Sequence, residues 1–354
     1  MEHTQNILPM VSVIIPHFNG FEQLERCVVS LEKTTGISLE IIVADDCSTD
    51  DSIELIKFEH PTIKVAKTRS NSGYGSACNT GFKVAKGEYV IFLNNDTEVE
   101  PNWVFNLLST MIEQGFSIGT PKIRFLENND IINAEGGSCD MLGMGVNRHN
   151  GLQNSDHQYV SQTETVFYGS ACLAIKASLF DILHGFDESY YMYSEDVDLC
   201  WRARLLGYKT LYVPTSLVYH SWMGTSKTAY FSLTYQLRNS LTTIIKNYSL
   251  VTLLYAVPAS ISLMFGEAIY FSFGARKMSK SILKGIIWNL INLKQTLLKR
   301  KVIQKTRILK DRIVKEDMET FSFSFKVFLK SHETPIFPHI ISIKDVKEQE
   351  IVLK

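Results

Sequence analysis

The sequence predicts an α/β fold built on parallel β-α-β units, and three observations carry that expectation. Short apolar runs alternate with helically spaced segments through the first third of the chain. Each long run ends in a polar cluster, and beyond residue 116 the alternation gives way to a less regular stretch rich in Gly, Asn and aromatics. Strands alternating with helices make parallel units, whose ligands bind beyond the carboxyl ends of the strands.

Residues 11–15 (VSVII) form an apolar run that Pro16 is expected to stop, as suits a buried strand. Phe21, Leu24, Val28 and Leu31 recur at helical spacing. Residues 40–44 form a second strand delivering Asp45 and Asp46; 52–58 read as a helix and 63–66 as a shorter strand. A helix over 76–85 is closed by Gly87, and a fourth strand over 88–93 delivers Asn94, Asn95 and Asp96. The polar groups after these strands, from Pro16 to Asn19 onward, are expected to converge on one cleft. Further on, turns are expected at 128–130 and 136–137, helices over 178–183 and 195–206, a strand over 209–213 stopped by Pro214, and another over 217–220.

The last third differs in character. Residues 250–273 are mostly apolar, with Glu267 their only charge and Pro258 inside. The next segment, 276–315, carries thirteen Lys or Arg and one acid, Asp311, although the whole chain is nearly neutral at a formal −1; the body is accordingly acidic. Apolar residues from Ile282 to Leu298 recur at helical spacing among these lysines, an amphipathic basic pattern. The expected division is a catalytic domain over 1–229, a helical extension over 230–330 that can meet a membrane, and a loosely ordered tail over 331–354. Six dispersed cysteines without a C-x-x-C pair fit a reducing cytosol, and residues 1–10 show no basic segment followed by a long apolar run.

Several side chains suit chemistry, and each has an ordinary alternative. Asp96, held at a strand end, suits a hard cation or a turn cap. Asp45 and Asp46 suit a base or ribose, or a polar loop opening the next helix. Glu195 and Asp196, flanked by Tyr190, Tyr191, Tyr193 and Trp201, suit a general base, or the acidic first turn that a helix dipole favours. His220 suits a metal ligand or an ordinary buried histidine. Gly73 to Cys78 lacks the third glycine of a dinucleotide fingerprint, and the P-loop and G-x-S-x-G motifs are absent from the sequence. Cys139, His149 and His157 have no zinc spacing.

The ordered set VSVIIPHFNG, EIIVADDCSTDDS, NSGYGSACNTGFKVAKGEYVIFLNNDTEVEPNWV, YGSACLAIKASLF and GFDESYYMYSEDVDLCWRARLLGYKTLYVPTSLVYHSW is more specific than its members. It resembles glycosyltransferase family 2, inverting enzymes of the GT-A fold, and looks closest to their rhamnosyltransferase-like branch. The resemblance covers about 11–226. It implies a mixed sheet flanked by helices, a nucleotide-sugar donor bound by Pro16, Asn19, Asp45, Asp46, Asn71, Gly73, Asn94, Asn95 and Asp96, and Mg²⁺ or Mn²⁺ on Asp96 and His220. Asp196 is the implied base, with Glu195 and Trp201 toward the acceptor. Asn94 departs from the family's Asp-x-Asp pattern and removes one negative charge from the metal motif.

The reaction so implied is a single displacement onto a hydroxyl of a glycan or lipid-linked acceptor, in cell-surface glycan synthesis, with rhamnose a candidate sugar. A nucleotidyltransferase would need a glycine-rich N-terminal phosphate loop that this chain lacks; a catalytically impaired sugar-nucleotide-binding scaffold is the other alternative, favoured only by Asn94. The expected place is the cytoplasm, peripheral at the inner face of the cell membrane and on anionic lipid, with no nucleic-acid partner. Oligomeric state is not legible.

Overall fold

The computed structural model describes residues 8–154, 162–221 and 229–320. In chain order these form β1 (Val11–His17), α1 (Phe21–Glu32), β2 (Leu39–Asp45), α2 (Ser52–Glu59), β3 (Lys64–Lys67), α3 (Tyr74–Phe82) and β4 (Tyr89–Leu93). There follow β5 (Thr97–Val99), α4 (Trp103–Glu113), β6 (Ile118–Phe125), β7 (Ile132–Glu135), β8 (Gly137–Cys139), β9 (Gly145–Asn147), β10 (Glu164–Val166), β11 (Cys172–Lys176) and α5 (Ala177–Ile182). The remainder is α6 (Glu195–Leu205), β12 (Thr210–His220), α7 (Ala229–Asn247), α8 (Leu250–Ser272), α9 (Arg276–Ile291), α10 (Leu293–Thr306) and α11 (Asp311–Lys315). The chain divides into two compact units: the first comprises 1–136, 147–191 and 208–224, the second 137–146, 192–207 and 225–354. The expected tail over 331–354, residues 1–7 and His157 lie outside the described residues.

The first unit is built on a ten-stranded mixed sheet in the order β10-β12-β6-β11-β4-β1-β2-β3, with β5 paired to β12 and β7 to β6. Strands β1, β2, β3 and β4 are mutually parallel, whereas β11 runs antiparallel to both β4 and β6. All of β1 and all of β4 is buried, which is why these segments read as continuous apolar runs rather than alternating ones. One face of the core brings Leu24, Cys27, Val28 and Leu31 of α1 together with Trp103, Val104, Leu107 and Met111 of α4.

Two proline expectations are corrected by the pairing. Strand β1 continues through Pro16 to His17, because the β1–β4 ladder ends at Ile14↔Phe92 while the β2 partner continues to Asp45. A missing N–H past the end of a ladder costs no pairing on that side. Similarly, Pro214 does not end a strand. Residues on either side belong to one strand, β12, which pairs with β6 on both sides of an irregularity between Val213 and Leu217. A bulge is where a sheet tolerates a proline.

In the second unit, α6 is buried along nearly its whole length. Helix α7 packs against α8, α9, α10 and α6, and α8 against α9. Pro258 lies within α8 without ending it.

Candidate functional site

In the first unit the parallel register sets the ends of β1 and β2 level, with Pro16 opposite Ala44 and His17 opposite Asp45. The same register brings Asn94, which follows β4, to this edge of the sheet. Asn19 adopts a left-handed φ of 58° and ties two loops together. Its N–H donates to Ser48 Oγ (3.0 Å), its Nδ2 to Thr49 Oγ1 (3.2 Å), and its Oδ1 accepts from Thr49 N–H (2.8 Å).

The acidic pair after β2 divides its work. Asp45 is wholly buried; its carboxylate accepts from the Ser48 N–H (2.7 Å) and meets Lys67 Nζ at 3.1 Å. Burial raises the pKa of Asp45, but the Ser48 and Lys67 contacts outweigh it and hold the carboxyl below its ordinary value. Asp46 accepts from the N–H groups of Ser72 (2.9 Å) and Gly73 (2.7 Å) and from the Thr68 hydroxyl (3.0 Å). These bonds fix the loop 70–73, where Tyr191 donates its hydroxyl to Asn71 Oδ1 (2.8 Å) and Tyr74 N–H donates to Tyr191 O (2.8 Å). Gly73 has φ +91°, and a Cβ there would lie 1.9 Å from Tyr191 O, so only glycine fits.

Asp96 and His220 come together through strand pairing. Thr97 of β5 is the register partner of His220 in β12, and the Ser221 N–H donates to Asp96 O (2.9 Å). His220 Nε2 then stands 3.2 Å from Asp96 Oδ1, with Asn94 Nδ2 at 3.5 Å from the same nitrogen. Burial disfavours a charged His220 ring, yet Asp96, together with Glu127, outweighs it and the pKa is raised.

Behind this pair lies a chain that the motif reading passed over. Asn95 Nδ2 meets His17 Nδ1 at 3.0 Å, and His17 Nε2 meets Ser52 Oγ at 2.9 Å. Burial lowers the His17 pKa to about 4 against the opposing pull of Asp50 and Asp45, so the ring is neutral at pH 7. Its only sequence signal is its place directly after Pro16.

The donor set suits a hard or borderline divalent cation: a carboxylate at Asp96, an imidazole at His220 and a neutral amide at Asn94. Among the described residues no group of three or more His, Cys, Asp or Glu is placed so that it could hold a metal ion by itself. A cation held by so few protein groups takes its remaining positions from water or from the oxygens of a bound anion.

Glu195 and Asp196 open α6, in the second unit. Glu195 is buried and Asp196 half-buried, and Val197 N–H donates to Asp196 Oδ1 (2.7 Å). Burial pushes both carboxyls up, and for Glu195 the neighbouring Asp196 adds to the rise. Glu195 Oε2 is buried with no hydrogen-bond partner. Trp201, expected toward the acceptor, is wholly buried, with its ring edge-on at 4.8 Å to that of Tyr248, the residue after α7.

Residues 12–182 match the model of glycosyl transferase family 2. The matched segment, just under half of the chain, belongs to that family. The family 2 chain is 35% identical over 111 residues to the uncharacterized glycosyltransferase YibD of Escherichia coli, an alignment covering 30% of this chain and 32% of that protein. It is 28% identical over 237 residues to the N-acetylglucosaminyl-diphospho-decaprenol L-rhamnosyltransferase of Mycobacterium tuberculosis, covering 61% of this chain and 76% of that one. A crystal structure of GalNAc-T7 with UDP, GalNAc and Mn²⁺ superposes with a TM-score of 0.56 at 23% identity, over 68% of this chain and 49% of that one. The fold is the expected GT-A arrangement.

Proposed function

We propose that this family 2 chain transfers a sugar from a nucleoside-diphosphate sugar to an acceptor hydroxyl with inversion at the anomeric carbon. The observation that carries the proposal is the Asp96–His220 pair, a carboxylate and an imidazole 3.2 Å apart at the edge of the sheet where β1, β2 and β4 end. When bound there, a divalent cation supplies Lewis-acid compensation for charge on the departing diphosphate. Asp96 and His220 would hold it, and the neutral Asn94 lowers the site's charge relative to an Asp-x-Asp motif. The loop 70–73, fixed by Asp46, lines the donor site. Asp196 takes the proton of the acceptor hydroxyl as that oxygen attacks opposite the leaving group. Burial raises the pKa of both α6 carboxyls, as suits a base, and Asp196 is the less buried of the two.

The acceptor we infer is a lipid-linked glycan, consistent with the lipid diphosphate in the name of the mycobacterial relative. Rhamnose is a reasonable first sugar on the same ground. Features of the second unit support membrane attachment. The outward face of α8, from Leu250 and Leu254 to Phe265 and Ile269, is exposed and uncharged, and Glu267 is turned inward. An exposed helix face is ordinarily polar, and an apolar one marks an interface. Exposed lysines on α9 and α10, among them Lys280, Lys284, Lys294 and Lys301, suit an anionic lipid surface. Helix α8 is long and apolar enough to cross a membrane, but Thr252, Ala256, Ser260, Met264 and Ala268 pack inward along one stripe. A helix with one packed face can meet lipid with the other, and we infer that it lies in the surface plane.

The test is release of free nucleoside diphosphate from a panel of UDP-, deoxythymidine-diphosphate- and GDP-sugars with Mn²⁺ and with Mg²⁺. Release from none of them, with bound donor detected by thermal shift, would instead mark a binding protein.

A further inference from the structure

The most constrained polar cluster unassigned so far lies in the second unit, around the start of α6. Tyr193 and Ser194, the two residues before Glu195, have φ of 68° and 66°. Non-glycine residues at left-handed φ cost about 1–3 kcal/mol each and persist only where their surroundings impose them. Ser194 is the N-cap of α6 yet makes no side-chain cap bond, so the turn is not held by itself.

Helix α7 imposes it. Asn239 is wholly buried, and its Nδ2 donates to both Met192 O (2.9 Å) and Tyr193 O (2.7 Å). Its Oδ1 accepts from Arg238 Nε (2.8 Å), and the Arg238 guanidinium is stacked between the Tyr235 ring at 4.4 Å and the Trp288 ring at 4.3 Å. Two turns further along the same helix face, Lys246 Nζ reaches Asp198 Oδ1 at 2.9 Å. Asn247 Nδ2 donates to the same oxygen (3.1 Å), while Arg202 Nε takes Oδ2 (2.8 Å). Asp198 and Lys246 are both inaccessible to solvent. The Glu195–Asp196 dipeptide is thus pinned on both sides, by Asn239 just before it and by Lys246 and Asn247 just after.

We propose that α7 is a brace for the carboxylates of α6, and that Asn239 is the positioning residue for Asp196. The inference rests on the reading of Asp196 as base and deepens it, since α7 lies outside the residues matched to the family. A base must stand within hydrogen-bond reach of the proton it takes, and a displacement of about 1 Å costs on the order of a hundredfold in rate. The two carbonyls fix the path of the backbone into α6, hence the direction in which Asp196 points. A group acting this way governs the chemical step and leaves donor binding alone.

The experiment is Asn239→Asp in the full chain. Aspartate keeps the shape and the acceptor facing Arg238 but has no donor for the two carbonyls. Turnover of UDP- and deoxythymidine-diphosphate sugars is read as released nucleoside diphosphate. We expect kcat to fall tenfold to a hundredfold at unchanged donor KM, in a folded chain whose melting temperature is lowered by the loss of two buried hydrogen bonds. Should the buried carboxylate unfold the chain, Asn239→Ala gives the same readout. A folded variant with wild-type kcat, or one in which donor KM rises as kcat falls, overturns the brace. Asp196→Asn, measured beside it, separates the two ideas. If Asp196→Asn turns over normally the base assignment fails; if it is dead while the Asn239 variant is normal, only the brace fails.

Discussion

His220 and Asp96 face each other across 3.2 Å, Nε2 to Oδ1, although 124 positions separate them in the chain. The contact is a consequence of register, since β5 sets Thr97 opposite His220 and leaves Asp96 next to it. A carboxylate with one imidazole and one amide is a weak cation site alone and a sufficient one when a diphosphate completes it. Asp96→Ala is therefore expected to abolish transfer and the Mn²⁺ dependence of donor binding. His220→Ala should cost about tenfold to a hundredfold, because water can replace one neutral ligand. Metal titrations of turnover check both, and full activity in excess chelator would reject the cation.

The roles proposed for the acidic pair of α6 predict unequal losses. Asp196→Asn is nearly isosteric but cannot accept a proton, so donor binding should survive while turnover drops about a hundred- to ten-thousand-fold. Glu195→Gln should cost less. The reverse ranking, measured as kcat beside donor affinity, would move the base to Glu195.

The pH dependence has a definite sign. Burial holds both carboxyls above the ordinary range near pH 4. A base works ionised, so kcat/KM is expected to decline as pH falls through the neutral region, with apparent values that belong to the pair. The folded chain binds these protons more tightly than the unfolded chain. The pair's contribution to stability is then present below about pH 4 and lost as pH rises through the raised values. Glu195→Gln should flatten the alkaline side of a melting-temperature profile; curves that run parallel from pH 5 to pH 9 would falsify the assigned direction.

Gly73 tests the donor loop from the backbone. An alanine Cβ would meet Tyr191 O at 1.9 Å and hold an unfavourable φ, so Gly73→Ala must shift the loop that Asp46 secures. A cost of about 1–3 kcal/mol in stability is expected, together with weakened binding of UDP. Unaltered nucleotide affinity by calorimetry would remove this loop from the donor site.

Much of this was legible because β1, β2 and β4 are core strands flanked by helices, and such strands announce themselves as apolar runs. Strand β6, with Gly119 and Pro121 inside it, and the short β11 did not, since their strand state comes from partners distant in the chain, β12 for β6 and β4 for β11, rather than local propensity. At the site, the strand-end position of Asp96 and His220 was visible in the residues themselves, and their meeting was implied only by the resemblance to family 2. Asn239 and Lys246 gave no signal at all. Their partners, Met192, Tyr193 and Asp198, lie more than forty positions upstream, and each would pass for an ordinary polar residue of a helix.

The outward face of α8 carries the last expectation. Leu250, Val251, Leu254, Ile269 and Phe273 are each more than 60% exposed, a side-chain set that water solvates poorly. Burying a leucine fully contributes about 1.5–3 kcal/mol, and each lysine near an anionic surface about 1 kcal/mol. Even partial insertion of these side chains, with a few lysines of α9 and α10, suffices for attachment that weakens with salt. Full-length protein should float with vesicles containing anionic lipid and float less with neutral ones. Leu254→Glu and Ile269→Glu together place charge on the exposed face without touching the packed stripe, and should abolish flotation at unchanged melting temperature. Lipid-independent sedimentation of the parent protein, or flotation of the double variant equal to it, would show that this face serves something other than a bilayer.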